Sequence, residues 1–389
     1  MAELTVPTHD DILAELPDEA WLAALLSLDA MGPNRLAALR QRRTPRQAWE
    51  AVAAGSLNSD RAVGTSLGGK GAETLAAWRR TARSFDVAAG WARYAALGVG
   101  VAKLGSPSYP AAFVADPEPP ALVFHQGDLG VLGGARVGIV GTRRCTRYGR
   151  DLAYELGAGL AEAGVAVVSG LARGIDAAAH RGLVDAGGAP PIAVVGSGHD
   201  VVYPTQNRGL WQTVTERGLL LSEAPLGAPP TRWRFPARNR LIAALSDVLI
   251  VVESHVKGGS LSTVFEALER DRPVLAVPGP VRSPASVGTN RLLVDGAQAC
   301  CGVDDALAAL GLTAGRRRPT LDPRLTPGPR AQEVLDILGW QPASLDRIVL
   351  ASGLEVTQAV AAVEELLAKG WVARTEGWIE RVSAGATQQ

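Results

Sequence analysis

Arg234, Arg238 and Arg240 stand at the head of an apolar helical stretch in "RFPARNRLIAALSD", and Lys257-Gly258-Gly259-Ser260 precedes another in "VKGGSLSTVFEALE". A helix N-terminus already presents unpaired N–H groups and roughly half a positive charge, so cations crowded there predict an anion among them. A third turn, "GIVGTRRCTRYG", sets Thr142, Arg143 and Arg144 after a β-rich run. Backbone N–H groups beside guanidinium groups suit phosphate. That turn lacks the G-x-G-x-x-G spacing of a dinucleotide site, and the chain has no Walker loop. Gly170 and Arg173 occupy a comparable turn in "SGLARGIDAAAH". Gly258 and Gly259 let a ligand approach the backbone, and Ser260 is expected to cap the helix that follows.

Other groups admit more than one reading. Asp176 is expected at a helix N-cap with His180 four residues on, over the same face, where they could form a proton relay or ligate a metal. No nucleophile or third ligand accompanies them, so a capping aspartate over a half-buried histidine is preferred. Asn207, in "GSGHDVVYPTQN", is expected to cap the next helix. The loop "PPTRWRFPARNR" interleaves Arg232, Arg234, Arg238 and Arg240 with Trp233 and Phe235. Cations among aromatics suit single-stranded nucleic acid, where arginines take phosphates and rings stack on bases for about 1–3 kcal/mol each. Phe235 itself is read as an anchor of the loop.

These turns need elements to hold them. Six nearly continuous apolar runs, "RVGIVGT", "VAVVSGL", "PIAVVGSG", "GLLLSEAP", "VLIVVES" and "PVLAVPG", alternate with helical stretches. They predict an α/β domain over residues 101–310, a doubly wound parallel sheet covered on both faces. Ligands of such sheets sit beyond the carboxyl ends of the strands, where the cationic turns fall. Residues 1–100 read as a small helical domain interrupted at Gly32-Pro33-Asn34. Residues 311–330 read as a linker, with Arg316-Arg317-Arg318 a solvated tether. Residues 331–389 run helix, helix, turn, helix and two short strands around Thr375-Glu376-Gly377, the order of a winged helix.

Composition narrows the function classes. Among 389 residues, 39 basic balance 39 acidic ones, so any claim on nucleic acid rests on where the cations lie. Cys145, Cys300 and Cys301 are odd in number and form no CxxC pair, which predicts a reducing cytosol and no zinc site. The acidic start and the lack of a long apolar run predict neither secretion nor a membrane span.

In this order, the blocks "GIVGTRRCTRYG", "SGLARGIDAAAH", "GSGHDVVYPTQN", "SEAPLGAPPTRWRFPARNRLIAALSD", "VVESHVKGGSL" and "VPGPVRSPASVGTN" resemble the DNA-processing protein A family (DprA, also called Smf). The resemblance covers about residues 105–300. It implies an extended Rossmann domain that binds single-stranded DNA, flanked by a helix-hairpin-helix or sterile-alpha-motif-like region and a winged helix. It further implies a cytoplasmic homodimer that loads the RecA recombinase on incoming strands during natural transformation, with no catalysis and no cofactor. The family's basic pocket falls here on Arg143, Arg238 and Arg240. Thr205 stands where some relatives carry a lysine after Tyr-Pro, so one phosphate contact is expected to be either lost or supplied by Arg208. Asn34 replaces a second hairpin glycine, so the hairpin is read as structural. Residues 331–389 carry eight acidic and four basic side chains, net minus four, which predicts contact with protein or modulation of the dimer rather than groove reading.

The reading that follows is a strand held at the sheet's carboxyl edge. Its phosphates would meet Arg143, Arg144, Arg173, Arg238, Arg240 and Lys257, aided by Thr142, Gly170, Asn207, Asn239, Gly258, Gly259 and Ser260. About five neutralised phosphates would give a log–log salt slope of roughly −3.5. The rival is a Rossmann nucleotide hydrolase or phosphoribohydrolase, with phosphate at Gly258-Gly259 and Glu253 or Glu266 as acid or base. A transcription regulator acting through the winged helix is the third reading, weakened by the acidic tail.

Overall fold

The computed structural model describes residues 13–312, 324–375 and 377–382. The expected tether Arg316-Arg317-Arg318, most of the linker and Glu376 lie outside these residues. The chain divides into two compact units, Met1–Thr313 and Ala314–Gln389.

The first unit begins with α1 (Asp18–Leu26), α2 (Pro33–Arg40), α3 (Pro45–Ala54), α4 (Arg61–Leu67), α5 (Gly71–Ser84) and α6 (Val87–Ala96). Their starts are written locally. Extended Gly32 leads into Pro33 at the first turn of α2, where a missing N–H costs nothing. Thr44 and Gln47 form a reciprocal capping box on α3, and Asp60 and Asp86 cap α4 and α6. Buried Trp78 donates its indole N–H to the Asp29 carbonyl at 2.8 Å. The apolar core of these helices runs on into Leu122 and Phe124 of the sheet, so helices and sheet share one interior.

The sheet has nine strands: β1 (Gly100–Lys103), β2 (Leu122–Gly127), β3 (Arg136–Val140), β4 (Ala166–Ser169), β5 (Pro191–Val195), β6 (Leu219–Ser222), β7 (Val248–Val251), β8 (Val274–Ala276) and β9 (Gln298–Ala299). Their order is β1-β2-β6-β5-β4-β3-β7-β8-β9. β3 to β8 are the six apolar runs, and every pair among them is parallel. β1 and β2 add an antiparallel edge beside β6. Between strands lie α7 (Ala111–Val114), α8 (Arg147–Glu162), α9 (Ile175–Ala186), α10 (Arg208–Arg217), α11 (Arg234–Leu245) and α12 (Ser260–Leu268). α13 (Val287–Val294) and α14 (Val303–Ala309) complete the unit.

Alternate strand residues pack on opposite faces, as period-two geometry requires. Val140, Leu249 and Val251 meet α11 and α12, whereas Val137, Ile139, Val248 and Ile250 meet α8, α9 and α14. From β3 the chain builds outward through β4, β5 and β6, then returns to add β7 and β8 on the other side. The sheet therefore reverses between β3 and β7. A crevice opens at the carboxyl ends of strands at such a reversal.

The second unit holds α15 (Pro329–Leu338), α16 (Leu345–Ser352), α17 (Val356–Ala368) and the antiparallel pair β10 (Val372–Thr375) and β11 (Trp378–Arg381). Val334, Leu335, Ile348, Val363 and Leu366 form its core. This is a winged-helix order of elements.

Candidate functional site

At the reversal between β3 and β7 lies a cavity of about 480 Å³. It brings together the turn after β3 (Thr142, Arg143, Arg144), the head of α11 (Arg238, Asn239) and the Lys257–Ser260 turn. An adjoining recess shares Arg143, Phe235 and Arg238 and adds Gly170, Arg173 and Tyr203.

The turn after β3 is pinned from β7. The Thr142 N–H donates to the Glu253 carbonyl at 2.8 Å. The buried Glu253 carboxylate accepts the Thr146 N–H at 2.8 Å and the Thr146 hydroxyl at 2.5 Å. Thr146 in turn caps α8 by accepting the Gly149 N–H. The neighbouring loop depends on glycine: Gly174 has φ +81°, and a Cβ there would collide with the Thr142 carbonyl. A Cβ on Gly170 would collide with the Arg238 guanidinium. Leu171 also takes a positive φ, +52°, and the Asn207 side chain holds its carbonyl at 2.9 Å.

The cations separate into two kinds. Arg143, Arg144, Arg173 and Lys257 are exposed, and among the described residues none forms an ion pair with a carboxylate. The Arg143 guanidinium lies 4.7 Å from the centroid of Phe235, whose ring packs against Tyr203 at 5.7 Å. Arg238 instead forms the floor. It is 7% exposed, donates to the Val194 carbonyl, and keeps its Nε buried without a partner. Burial lowers its pKa to about 10, with Asp176 opposing the shift and Arg143 adding to it. Burial pushes the Asp176 carboxyl up, with Arg238 as the largest opposing influence. The floor is thus a buried guanidinium with a carboxylate near enough to act on it, and the cations without an ion pair sit on the rim.

Several expectations change. Arg240 is not in the cavity. It is 4% exposed, paired with Glu223 at 2.5 Å, and donates to the Glu118 carbonyl at 2.7 Å. Two residues apart on a helix means about 200° around it, so Arg238 and Arg240 cannot face one ligand. Ser260 begins α12 but does not cap it, because Gly259 holds the cap position and the Ser260 hydroxyl donates to Ser254. Asp176 is the second residue of α9, with Gly174 at the cap position. Its carboxylate accepts the Gly170 and Ala172 N–H groups at 3.2 and 3.4 Å, because the loop before the helix folds its amides toward it. His180 is fully rather than half buried, with Nε2 3.1 Å from the Ile192 carbonyl. Burial holds its pKa down at about 4.

Asn207 makes no side-chain cap, is buried, and lies outside both spaces. Arg208 lines neither space. Asn239 does reach the cavity, and it bonds Ser262 at 2.7 Å across to α12. Glu253 is engaged with Thr146, and Glu266 pairs with Arg270 at 2.7 Å without lining the cavity. The roles of Glu253 as a pin and Asp176 as a counter-charge escape sequence reasoning, since both depend on partners about 107 and 62 positions away.

Comparison with known proteins places these features. Residues 101–311 match the family model of the DNA recombination-mediator protein A, and residues 317–377 match that of the DprA winged helix domain. The DNA processing protein DprA of Bacillus subtilis is 38% identical over 220 residues, 56% of this chain and 74% of that protein. Protein Smf of Synechocystis is 33% identical over 309 residues, 70% of this chain and 77% of that protein. A Mycobacterium tuberculosis relative bearing the DprA name is 38% identical, and the match spans 65% of its length, just under two thirds. The structure of DprA from Streptococcus pneumoniae superimposes with a TM-score of 0.59 at 27% identity, covering 75% of this chain and 98% of that one. That of DNA processing protein A from Helicobacter pylori, a study of its single-stranded DNA binding mode, gives 0.50 at 32% identity, covering 55% and 95%.

Proposed function

Because this chain belongs to the DNA recombination-mediator protein A family, we propose that it binds single-stranded DNA at the β3–β7 crevice and presents the strand to the RecA recombinase. The observation that carries this reading is the grouping of four exposed, unpaired cations, Arg143, Arg144, Arg173 and Lys257, around glycine turns and the N-terminus of α12. Phosphates would meet these side chains and the amide of Gly259, while the Gly258 N–H closes the turn on the His255 carbonyl. Arg238 and Asn239 shape the floor beneath, Gly170 makes room for Arg238, and Thr142 and Ser260 hold the walls. Arg240 and Asn207 act as supports of that frame rather than as contacts. Four rim cations predict a log–log salt slope of about −2.8 on a single strand.

No bond is changed in this reading, no cofactor enters, and the protein works in the cytoplasm as a homodimer. Exposed Phe265 and Leu268, three positions apart on α12, and Val287 and Val294, seven apart on α13, each share a helix face and support self-association, since large exposed apolar side chains mark contact surfaces. Residues 101–310 would carry the strand, 1–100 would brace the sheet, and 331–389, beyond the linker 311–330, would meet protein.

The test is fluorescence anisotropy with a labelled oligothymidine across a salt series, beside the duplex of equal length and an Arg143→Glu variant. Tight single-strand binding that weakens with salt and collapses in the variant is the expected result. Equal indifference of both proteins to the strand would sink the reading.

A further inference from the structure

A second cavity, of about 270 Å³, lies within the first unit between the N-terminal helices and the sheet. Its walls are apolar: Leu26, Met31 and Leu36 on the helical side, Leu122 and Leu241 on the other. The volume falls just below the ~300–1,000 Å³ usual for drug-sized ligands, which suits a single ring system. Trp233 lines it, with the Arg234 guanidinium 4.6 Å from its ring centroid.

Asn34, Arg40 and Glu118 line its exposed rim, and the polar groups deeper in are of definite sense. Glu223 faces the cavity with Oε1 taken by Arg240, while Oε2 meets no donor among the described residues. Arg238, more than nine-tenths buried, also lines the cavity, and its Nε has no partner. Arg238 Nε is a buried donor without a partner, which in such surroundings costs about 1–3 kcal/mol, and Glu223, whose side chain is 22% exposed, keeps an acceptor oxygen free, so a ligand that both accepts and donates would complete the pair.

A carboxylate oxygen can only accept, so the ligand edge facing Glu223 must donate. Among nucleobases, adenine and cytosine put a ring acceptor next to their single amino donor, and thymine flanks its one N–H with two carbonyls. Guanine alone sets N1–H and the N2 amino group side by side, and its O6 and N7 are acceptors that arginines read. We propose that this cavity is a guanine-base site, with Glu223 taking the donor edge, Arg234 and Arg238 facing the acceptors, and Trp233 packing on the ring. The site shares Arg238 with the phosphate crevice, and Val195 and Gly196 besides with the recess that adjoins it. The base could arrive in a free nucleotide or within a bound strand.

The experiment has two arms on the full chain. Calorimetry compares dGMP with dTMP, and anisotropy compares an oligothymidine with the same strand carrying one guanine. Wild type should favour guanine about tenfold in at least one arm, the scale of one good base-edge contact. Ala37→Trp, which fills the cavity from an exposed rim position, and Glu223→Gln should each abolish that preference. Binding of plain oligothymidine should stay unchanged in Ala37→Trp, which separates this site from the crevice. A preference seen only in the strand assigns the base to bound DNA, and one seen with dGMP assigns it to free nucleotide. No preference in either arm, or a preference that survives Ala37→Trp, overturns the proposal.

Discussion

Arg143 and Arg240 are both arginines of cationic sequence blocks, yet only the first has charge to spare. Arg143 is exposed and has Phe235 beneath it, so Arg143→Glu reverses a charge at the rim of the crevice. Single-strand affinity is expected to fall at least tenfold in 0.1 M salt with no change in thermal midpoint, a pair of readings taken by anisotropy and circular dichroism. Arg240→Ala should do the reverse. Removing it leaves Glu223 and the Glu118 carbonyl without their donor, which predicts a loss of about 3 kcal/mol in urea unfolding. The affinity of the remaining folded protein for the strand should stay within a factor of two.

Elements set how firmly those residues are held. The turn that carries Arg143 and Arg144 has one local bond, from the Arg144 N–H to the Thr142 hydroxyl at 3.2 Å. From outside it is held by Glu253, at the end of a different strand, whose carbonyl accepts the Thr142 N–H and whose carboxylate takes two bonds from Thr146. Glu253→Gln keeps the volume but replaces one acceptor oxygen by an amide that cannot accept, so one of the two bonds is lost. Strand affinity should drop severalfold while the far-ultraviolet spectrum stays native, and retained affinity would show the pin to be dispensable. Beyond the crevice-facing start of α12, Phe265 and Leu268 on that helix and Val287 and Val294 on α13 are exposed. For the proposed homodimer, the double change Phe265→Asp with Leu268→Asp should shift the mass measured by light scattering from dimer to monomer.

For the molecule as a whole, two buried histidines couple stability to acid. His180 and His199 have pKa values lowered by burial to about 4 from the ordinary 6.5. Each is neutral in the folded chain, and the unfolded chain takes up protons first as pH falls. Their contribution is therefore complete above pH 6.5 and is lost as pH drops toward 4, by up to about 3 kcal/mol apiece. Unfolding followed from pH 7 to pH 4 should show this slope, reduced by half in His180→Gln. Division into two compact units also predicts that a chain ending at Thr313 keeps the wild-type salt slope on single strands. A slope shallower by one phosphate or more would assign strand contacts to the second unit.

The sequence by itself determined the six parallel strands, the helical start, the winged-helix tail and the edge of the sheet where the cations gather. Those features are local: apolar runs, turn glycines and capping residues act within a few positions, and period-two or 3.6-residue patterns survive in one dimension. It also told that Arg143, Arg144 and Lys257 stand in glycine-rich turns. What it could not tell was which cations remain uncompensated, because their carboxylate neighbours come from distant strands. Only the tertiary structure turned Arg240 inward to Glu223, set Asp176 beside Arg238, and tied Thr146 to Glu253. The short strands β1 and β9 were equally hidden, since four residues and two residues are too few for a periodic pattern and gain their pairing from the sheet they join. Burial and pairing are properties of the folded neighbourhood, and that is where the distinction between a structural and a ligand-facing arginine is made.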